Sequence, residues 1–352
     1  MIIKLKLYKL DKYIIVFLVI TKFSRDNMDE EYEKVGAIAA KVRKQAAKKI
    51  TAGMKVVDFI DWIESEVTKT GAGLSFPCNI SINEIAAHYT SPVNDDTVFC
   101  NGDIVKIDLG GEINGFISDT AVTVVVEGDN IEPVDEDGKP LKMPGRFDDG
   151  NPVVTEDDLE ERYNLIEASS NALENVLSIV KDGVTLNEIG KTVQDTIQSY
   201  GFTPIINLAG HSLEQNNLHA GVSIPNYPDG STHELKEGDH VAIEPFASSG
   251  SGITSEVQQH YIFSFMNNKP LRNPQAKILL KNISKNNRYF PFAQRHVKTS
   301  MDDSKFARAM RPLIMAGCIY PHAVLKDNAN GMVAQTEHTV IVEKDGCKVT
   351  TL

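Results

Sequence analysis

The stretch DIVKIDLGGEINGFISDT, residues 103–120, decides how the rest of the chain is interpreted. Its first half is rich in β-branched and other apolar residues, which favours a strand, and Gly110–Gly111 permits a tight reversal before a second extended run. Asp108 and Asp119 stand where a half-buried strand would carry apolar side chains. A buried carboxylate is costly unless it is paired or binds a cation. If the two strands are neighbours, these acids face each other across the ladder, which suits a metal site.

The overall composition is that of a globular protein. The chain has 352 residues, of which 41% are hydrophobic and 24% are charged, enough for one large domain or two ordinary ones. Its net charge is −12, whereas proteins that bind nucleic acid present a basic surface, so we expect no nucleic-acid partner. The four cysteines are far apart and form no C-x-x-C pair, which favours reduced thiols in the cytosol over disulfides or a zinc knuckle.

Residues 1–27 differ from the rest of the chain. They carry a net charge of +4 and contain a run of eight apolar residues, 13–20, which is far shorter than the ~20 needed to cross a bilayer. The run resembles the core of a signal peptide, but no small-residue cleavage site follows it. A helical pattern begins directly after Met28. We therefore expect residues 1–27 to be an N-terminal extension outside the fold, and we expect no membrane partner.

Beyond Met28, the same order of elements occurs twice. Apolar residues at helical spacing predict helices at 29–50, 56–70, 159–180 and 186–200. Strand patterns follow each pair of helices, first up to residue 126 and then at 203–208, 240–246 and 260–265. Two helices followed by antiparallel strands, in both halves, predict an α+β fold of two similar lobes with a cleft between them.

Two segments interrupt this order. Residues 127–158 hold eleven acids, three bases and four prolines, so we expect a mobile surface loop. Its DEDG motif lacks the EF-hand spacing and a closing Glu, so a solvated loop is favoured over a calcium site. Residues 267–318 form a second helical block, with helices predicted at 276–283 and 306–315, and residues 333–342 are predicted as the final strand.

Three residues add to the two acids of the opening stretch. Glu244 and Glu337 lie within apolar strand segments, and His211 lies in a stretch rich in Gly and Asn. Taken singly, each is more often a solvent-facing acid or a satisfied histidine. Taken together, four unpaired buried acids would cost several kcal/mol each, so only cations could neutralise them. Four carboxylates and one imidazole can hold two divalent ions, and oxygen-dominated ligands favour Mn, Fe(II) or Co. Two such ions activate a water and polarise a carbonyl, which is hydrolase chemistry.

Five motifs resemble those of the methionine aminopeptidases and occur in the order of that family. They are SFPCNISINEIAAHYTSP, KIDLGGEINGFISDTAVTV, NLAGHSLEQNNLHAG, VAIEPFA and AQTEHTVIV. The long segment between Glu244 and Glu337 resembles the type 2 class of archaea and eukaryotes, as do NPQAKILL and FPFAQR. The resemblance implies a pita-bread fold in one catalytic domain, residues 28–352, in which residues 127–158 are an insertion and residues 267–318 a helical subdomain.

The resemblance also implies two divalent metal ions, with Co, Mn, Fe(II) and Zn left open, and a role for each ligand. Asp108 would bind one ion, His211 and Glu244 would complete the other, and Asp119 and Glu337 would bridge both. Glu244 is also the candidate proton shuttle. His338 directly follows Glu337, and strand alternation points it away from the site.

The remaining site residues implied by the resemblance contact the substrate. His219 would contact the scissile amide and stabilise the tetrahedral intermediate. The pocket for the methionine side chain would be lined by Phe76, His88, Leu218, His219 and Tyr320. The activity implied is removal of methionine from nascent polypeptides with a small second residue, by a cytoplasmic monomer that works near ribosomes.

Two alternatives share the same fold. A prolidase or aminopeptidase P would have a similar five-ligand site, but those families usually carry a further motif in which His precedes an acid. Here His219 is followed by Ala220–Gly221. A non-catalytic pita-bread protein that binds ribosomes or chromatin would have lost the ligands, and all five are present in this sequence.

Overall fold

The structure is a computed structural model and describes residues 27–128, 154–298 and 301–352. The predicted extension, except residue 27, and most of the predicted acidic loop lie outside the described residues. The helices are α1 (residues 27–49), α2 (Val56–Thr68), α3 (Glu156–Ile179), α4 (Leu186–Ser199), α5 (Pro274–Asn286), α6 (Gln294–Lys298) and α7 (Asp303–Met315). The strands are β1 (Gly73–Leu74), β2 (Asn79–Ile82), β3 (Ile85–Ala87), β4 (Ile104–Ile113), β5 (Phe116–Val125), β6 (Thr203–Pro204), β7 (Ala209–Ser212), β8 (Ser223–Pro225), β9 (His240–Ile243), β10 (Phe246–Ser248), β11 (Thr254–Phe265), β12 (Phe292–Ala293), β13 (Ile319–Asp327), β14 (Val333–Gln335), β15 (His338–Val342) and β16 (Cys347–Val349).

Each lobe packs two helices against antiparallel strands, as predicted. In the first lobe, α1 and α2 bury their apolar faces with residues of β2 and β4 around Phe59 and Ile107. In the second, α3 and α4 pack on the sheet β16-β15-β9-β7-β8 around Leu165 and Val241. Helix α3 begins directly after Thr155, because Thr155 and Asp158 form a reciprocal capping box. In each lobe, the apolar sides of two helices are covered by a sheet. This arrangement gives the predicted α+β fold of two lobes.

The β4–β5 hairpin is formed as predicted, but its turn and register differ from the prediction. Gly110 and Gly111 lie inside β4, and the chain reverses at Asn114–Gly115, where φ is 54° and 85°. Such positive φ values suit Asn and Gly in a two-residue hairpin turn. Asp108 is opposite Ala121 and Asp119 is opposite Gly110, so the acids are offset by two positions. They still share one face of the sheet, because side chains alternate with a period of two.

Two predicted strands are broken next to an acid. The segment 240–246 divides into β9 and β10 around Glu244 and Pro245, since proline has no N–H to donate to a ladder. The segment 333–342 divides into β14 and β15, and Glu337 lies in the gap. An isolated bridge to Ala121 holds the backbone of Glu337 in place. Both carboxylates therefore lie where the chain leaves the regular ladder.

The helical block 267–318 has its own apolar core around Leu279 and Phe306. It joins the rest of the protein through β12, which pairs with β11. A buried ion pair adds a second connection, because Glu64 on α2 accepts hydrogen bonds from Arg295 and, at 2.9 Å, from His296. Within the described ranges, no helix is long and apolar enough to cross a membrane.

Gly110 lies opposite Asp119 in the hairpin, and the structure leaves no room for a side chain at this position. A Cβ at this position would overlap the Ser118 carbonyl and lie 2.6 Å from Phe76 Cε1. We expect Gly110→Ala to lower the free energy of unfolding by about 1–3 kcal/mol, as overpacking does. Urea unfolding in the presence of a chelator measures this loss. Gly346→Ala is the control, because no atom lies within 4 Å of its Cβ position. Equal stability of the two variants would contradict the prediction.

Candidate metal centre and pocket

All five predicted metal ligands lie in the wall of one cavity of about 240 Å³. The first lobe contributes Asp108 from β4 and Asp119 from β5. The second lobe contributes His211 from β7, Glu244 just after β9 and Glu337 between β14 and β15. The site therefore exists only where the two lobes meet. The structure brings the five side chains together, and their roles as ligands remain a prediction.

The spacing of these groups suits a shared cation. The ligand atoms of Asp119, His211 and Glu337 all lie within 4.8 Å of one another. His211 Nε2 is 3.4 Å from Asp119 Oδ2 and 3.9 Å from Glu244 Oε1. Because a divalent metal such as zinc binds oxygen or nitrogen at about 2.0–2.2 Å, two ligands of one ion are separated by roughly 3–4.4 Å. The observed distances between ligand atoms fall in or close to this range.

The carboxylates are held in an environment that disfavours their charge. Burial is the main cause that raises the pKa values of Asp108, Glu244 and Glu337, and the charge of Asp119 is the next cause for each. Gln335 Nε2 donates to Glu244 Oε2 at 3.1 Å and lies 3.5 Å from Glu337 Oε2. An amide group carries no charge, so Gln335 orients these carboxylates without neutralising them. Bound cations would supply the missing positive charge.

Two buried polar atoms of the site have no hydrogen-bond partner among the described residues. They are Asp108 Oδ1 and His211 Nδ1. A buried polar atom that is left unsatisfied costs about 1–3 kcal/mol, so such atoms are uncommon in native proteins. A cation beside Asp108 would satisfy its free oxygen. The donor set of four carboxylates and one imidazole therefore fits divalent metal ions, the cofactor class predicted from the sequence.

Threonine hydroxyls join the strands that carry Asp119 and Glu337. Thr339 Oγ1 accepts from Asp119 N and donates to Asp119 O, both at 2.8 Å. Thr120 Oγ1 donates to Glu337 O at 2.8 Å, and Arg43 also donates to Thr120 Oγ1. These bonds take the place of a continuous ladder between β5 and β15. They fix the backbones of two predicted bridging ligands, one from each lobe.

The predicted substrate-binding residues Phe76, His88, Leu218 and His219 line the same cavity. The His219 ring centroid is 4.2 Å from that of His211. Burial, followed by the charges of His211, His88 and His322, lowers the pKa of His219 to about 3. His219 is therefore neutral at neutral pH. His88 adopts φ 65°, a sparsely populated region for a non-glycine residue, and its Nδ1 lies 3.1 Å from Ala323 O.

Tyr320 is the predicted pocket residue that is not part of the cavity wall. It is 53% exposed and is the second residue of β13. His322, two residues further along the same face of β13, lines the cavity instead. The two rings are in edge contact, with centroids 5.2 Å apart. His338 contacts Arg43 and Thr351 rather than the cavity, in agreement with the sequence prediction.

The sequence-based prediction also missed Gln335 and His322. Gln335 is two positions before Glu337 in the predicted strand, so strand alternation places both side chains on one face, and this spacing was a usable signal. The structure shows that Gln335 is buried. His322 had no such signal, since β13 was not predicted as a strand. Only the pairing of β13 with β11 and β3 brings this histidine to the cavity.

The profile of metallopeptidase family M24 matches residues 30–344, so the chain belongs to this family of metal-dependent hydrolases. It is 42% identical to the methionine aminopeptidase of Methanothermobacter thermautotrophicus over 324 residues, which cover 92% of this chain and 99% of the relative. It is 39% identical to the methionine aminopeptidase of Methanocaldococcus jannaschii over 326 residues, with coverage of 92% and 99%. Within the family, the chain therefore groups with the methionine aminopeptidases, and these archaeal relatives agree with the type 2 resemblance.

Solved structures of low sequence identity share the fold. A thermophilic Arx1 aligns with a TM-score of 0.74 at 18% identity, covering 92% of this chain and 90% of its own. The methionine aminopeptidase of Rickettsia prowazekii aligns with a TM-score of 0.63 at 18% identity, covering 93% and 98%. The prolidase of Pyrococcus furiosus aligns with a TM-score of 0.54 at 18% identity, covering 93% and 64%. The predicted pita-bread fold is confirmed.

The raised carboxyl pKa values predict how metal and pH act on stability. Asp108, Glu244 and Glu337 have raised pKa values, so in their protonated form they stabilise the folded, metal-free chain below the usual carboxyl pKa of about 4. This stabilising contribution is lost as the pH rises through the raised pKa values. We therefore expect Mn²⁺ to raise the unfolding temperature more at pH 8 than at pH 6. Differential scanning calorimetry measures this difference. A shift of the same size at both pH values would contradict the prediction, and Asp108→Asn should reduce its pH dependence.

Proposed function

We propose that this chain removes the N-terminal methionine from polypeptides whose second residue is small. The observation that carries this proposal is the convergence of five predicted metal ligands on a cavity that also has apolar and imidazole walls. The carboxylates and the imidazole would hold two divalent ions at one end. The apolar residues would receive the side chain of the first residue at the other.

Asp108 would hold one ion, and His211 with Glu244 would complete the other. Asp119 and Glu337 would bridge the two, as their positions in opposite lobes allow. When bound, divalent ions supply a Lewis acid that acidifies water and polarises the first peptide carbonyl. The identity of the metal stays open among Co, Mn, Fe(II) and Zn.

Glu244 would accept a proton from the attacking water and deliver it to the leaving amine. Burial raises the pKa of Glu244, and Gln335 orients its carboxylate, and both effects suit a group that gains and then loses a proton. His219 would donate a hydrogen bond from its neutral ring to the carbonyl oxygen as negative charge develops on it. His219 and Glu244 are therefore the proposed catalytic residues.

Phe76 and Leu218 would contact the unbranched methionine side chain. Both are buried in one apolar cluster and line the cavity. His88 would contact the substrate at the mouth of the pocket, and His322 would take the position expected for Tyr320. The resemblance to the methionine aminopeptidases implies that the second residue has a small side chain.

We further propose that the substrates are nascent polypeptides, that the enzyme is a cytoplasmic monomer, and that it works near ribosomes. The catalytic domain would comprise residues 28–352, and the match of the family profile from residue 30 supports this start. Residues 127–158 would form an insertion in this domain, and residues 267–318 a helical subdomain.

Peptide release tests the proposed activity. With Mn²⁺, Fe²⁺ or Co²⁺ supplied, we expect release of methionine from Met-Ala-Ser and much slower release from Met-Leu-Ser, because a large second residue would not fit. N-acetylated Met-Ala-Ser is the control and should stay intact. Chromatography of the products measures each rate. Cleavage of Ala-Pro peptides without cleavage of Met-Ala-Ser would favour a prolidase-like activity instead.

Substitution of His219 tests whether this residue acts in catalysis or binds metal. We expect His219→Ala to lower kcat by about 10²–10³-fold, as loss of an oxyanion donor does, while the metal content stays at the wild-type level. Inductively coupled plasma mass spectrometry gives the metal content. Asp119→Asn is the matched comparison, since it should lower metal content and turnover together. If His219→Ala lost metal to the same degree, His219 would be a ligand.

A further inference from the structure

The helical block carries a charge opposite to that of the rest of the chain. Residues 267–318 contain eleven Lys and Arg and two Asp, a net charge of +9, whereas the remaining residues carry −21. The whole-chain value of −12, on which the expectation of no nucleic-acid partner rests, is the sum of these two opposite parts. A local basic surface, rather than the total charge, is what attracts a polyanion.

Helix α5 presents the most regular part of this charge. Lys277, Lys281 and Lys285 are all exposed and follow one another at four-residue spacing. Four residues of an α-helix rise about 6 Å, so the three ammonium groups form a stripe along one side. The opposite side of α5 is fixed in the apolar core of the block through Ala276 and Ile283. The stripe is thus held on a rigid element and faces solvent.

The stripe lacks the acidic partners that some exposed lysines on other helices have. Lys34 lies 3.1 Å from Glu30, Lys69 lies 2.6 Å from Glu66, and Lys191 pairs with Asp195. Helix α5 contains no acidic residue, and its three lysines form no ion pair with any residue that the structure describes. Like charges at i and i+4 destabilise a helix by a few tenths of a kcal/mol. A bound polyanion would remove this repulsion.

An exposed aromatic side chain follows the stripe. Tyr289 is 58% exposed, and the Arg288 guanidinium lies 5.7 Å from its ring centroid. Exposed aromatic rings and guanidinium planes beside a basic track are the groups on which unpaired bases stack. Pro291, two residues later, lines the cavity that holds the proposed active site. A partner bound here would therefore lie beside one wall of the pocket.

We propose that α5, together with Arg288 and Tyr289, forms a surface that binds single-stranded RNA. The lysine stripe contacts the phosphate backbone, and Tyr289 stacks on an unpaired base. An anionic membrane would also attract the lysines, but the apolar side of α5 is buried in the core of the helical block and is not free to insert into a bilayer. This surface is separate from the metal ligands and does not depend on the peptidase activity.

Fluorescence anisotropy with a fluorescein-labelled oligouridine RNA tests the proposal on the full chain. The variant Lys277→Glu/Lys281→Glu/Lys285→Glu should weaken binding by at least about tenfold and flatten the dependence of log K on log salt by about 0.7 for each phosphate that is no longer neutralised. Lys41→Glu/Lys44→Glu/Lys48→Glu is the matched control, because these three lysines are also exposed on one helix, α1. The control variant should bind RNA as the wild type does. Tyr289→Ala should weaken binding without changing the salt slope.

Three results would overturn the proposal. They are the absence of wild-type binding even at low salt, an equal loss of affinity in the α5 and α1 variants, and cosedimentation with phosphatidylserine vesicles but no binding of RNA. Hydrolysis of Met-Ala-Ser by both charge variants at the wild-type rate would show that they are folded. Because that assay does not involve RNA, failure of the peptidase assignment and failure of the RNA surface remain distinguishable.

Discussion

The burial of four carboxylates within one cavity is the constraint on which the rest of the structure depends. Asp108, Asp119, Glu244 and Glu337 repel one another, and burial removes the water that would screen them. Gln335 donates to Glu244 but carries no charge, so it does not neutralise these carboxylates. Cations would stabilise the ionised form of the site, and the fold has to hold these carboxylates close together without them.

The architecture meets this requirement by building the site from both lobes. Strands β4 and β5 form a continuous hairpin that carries Asp108 and Asp119 on one face. Glu244 and Glu337 lie at breaks in their strands, where a carboxylate can turn toward the cavity without a ladder constraint. Bonds from Thr120 and Thr339 then connect the two lobes at the ligands. Relative movement of the lobes would separate the predicted ligands, so these hydroxyls serve the site as well as the fold.

The sequence predicted the helices, and which side chains converge on one cavity, better than the strand details. Helical spacing and caps such as Thr155 are local signals, so α1 to α4 were predicted within a few residues. Asp108 and Asp119 were identified because each interrupts an apolar run, and this pattern is visible in a single sequence. The turn at Asn114–Gly115 was misplaced, since Gly110 is required by crowding against Ser118 rather than by a reversal. His322 was missed because its position depends on long-range pairing of β13, for which the local pattern gave no sign.

Anomalous X-ray diffraction at the manganese edge, from crystals grown with Mn²⁺, tests the central claim most directly. The account predicts two anomalous peaks in the cavity, with Asp119 and Glu337 in contact with both, Asp108 with one, and His211 and Glu244 with the other. Peaks located elsewhere, or none within reach of these five side chains, would contradict it.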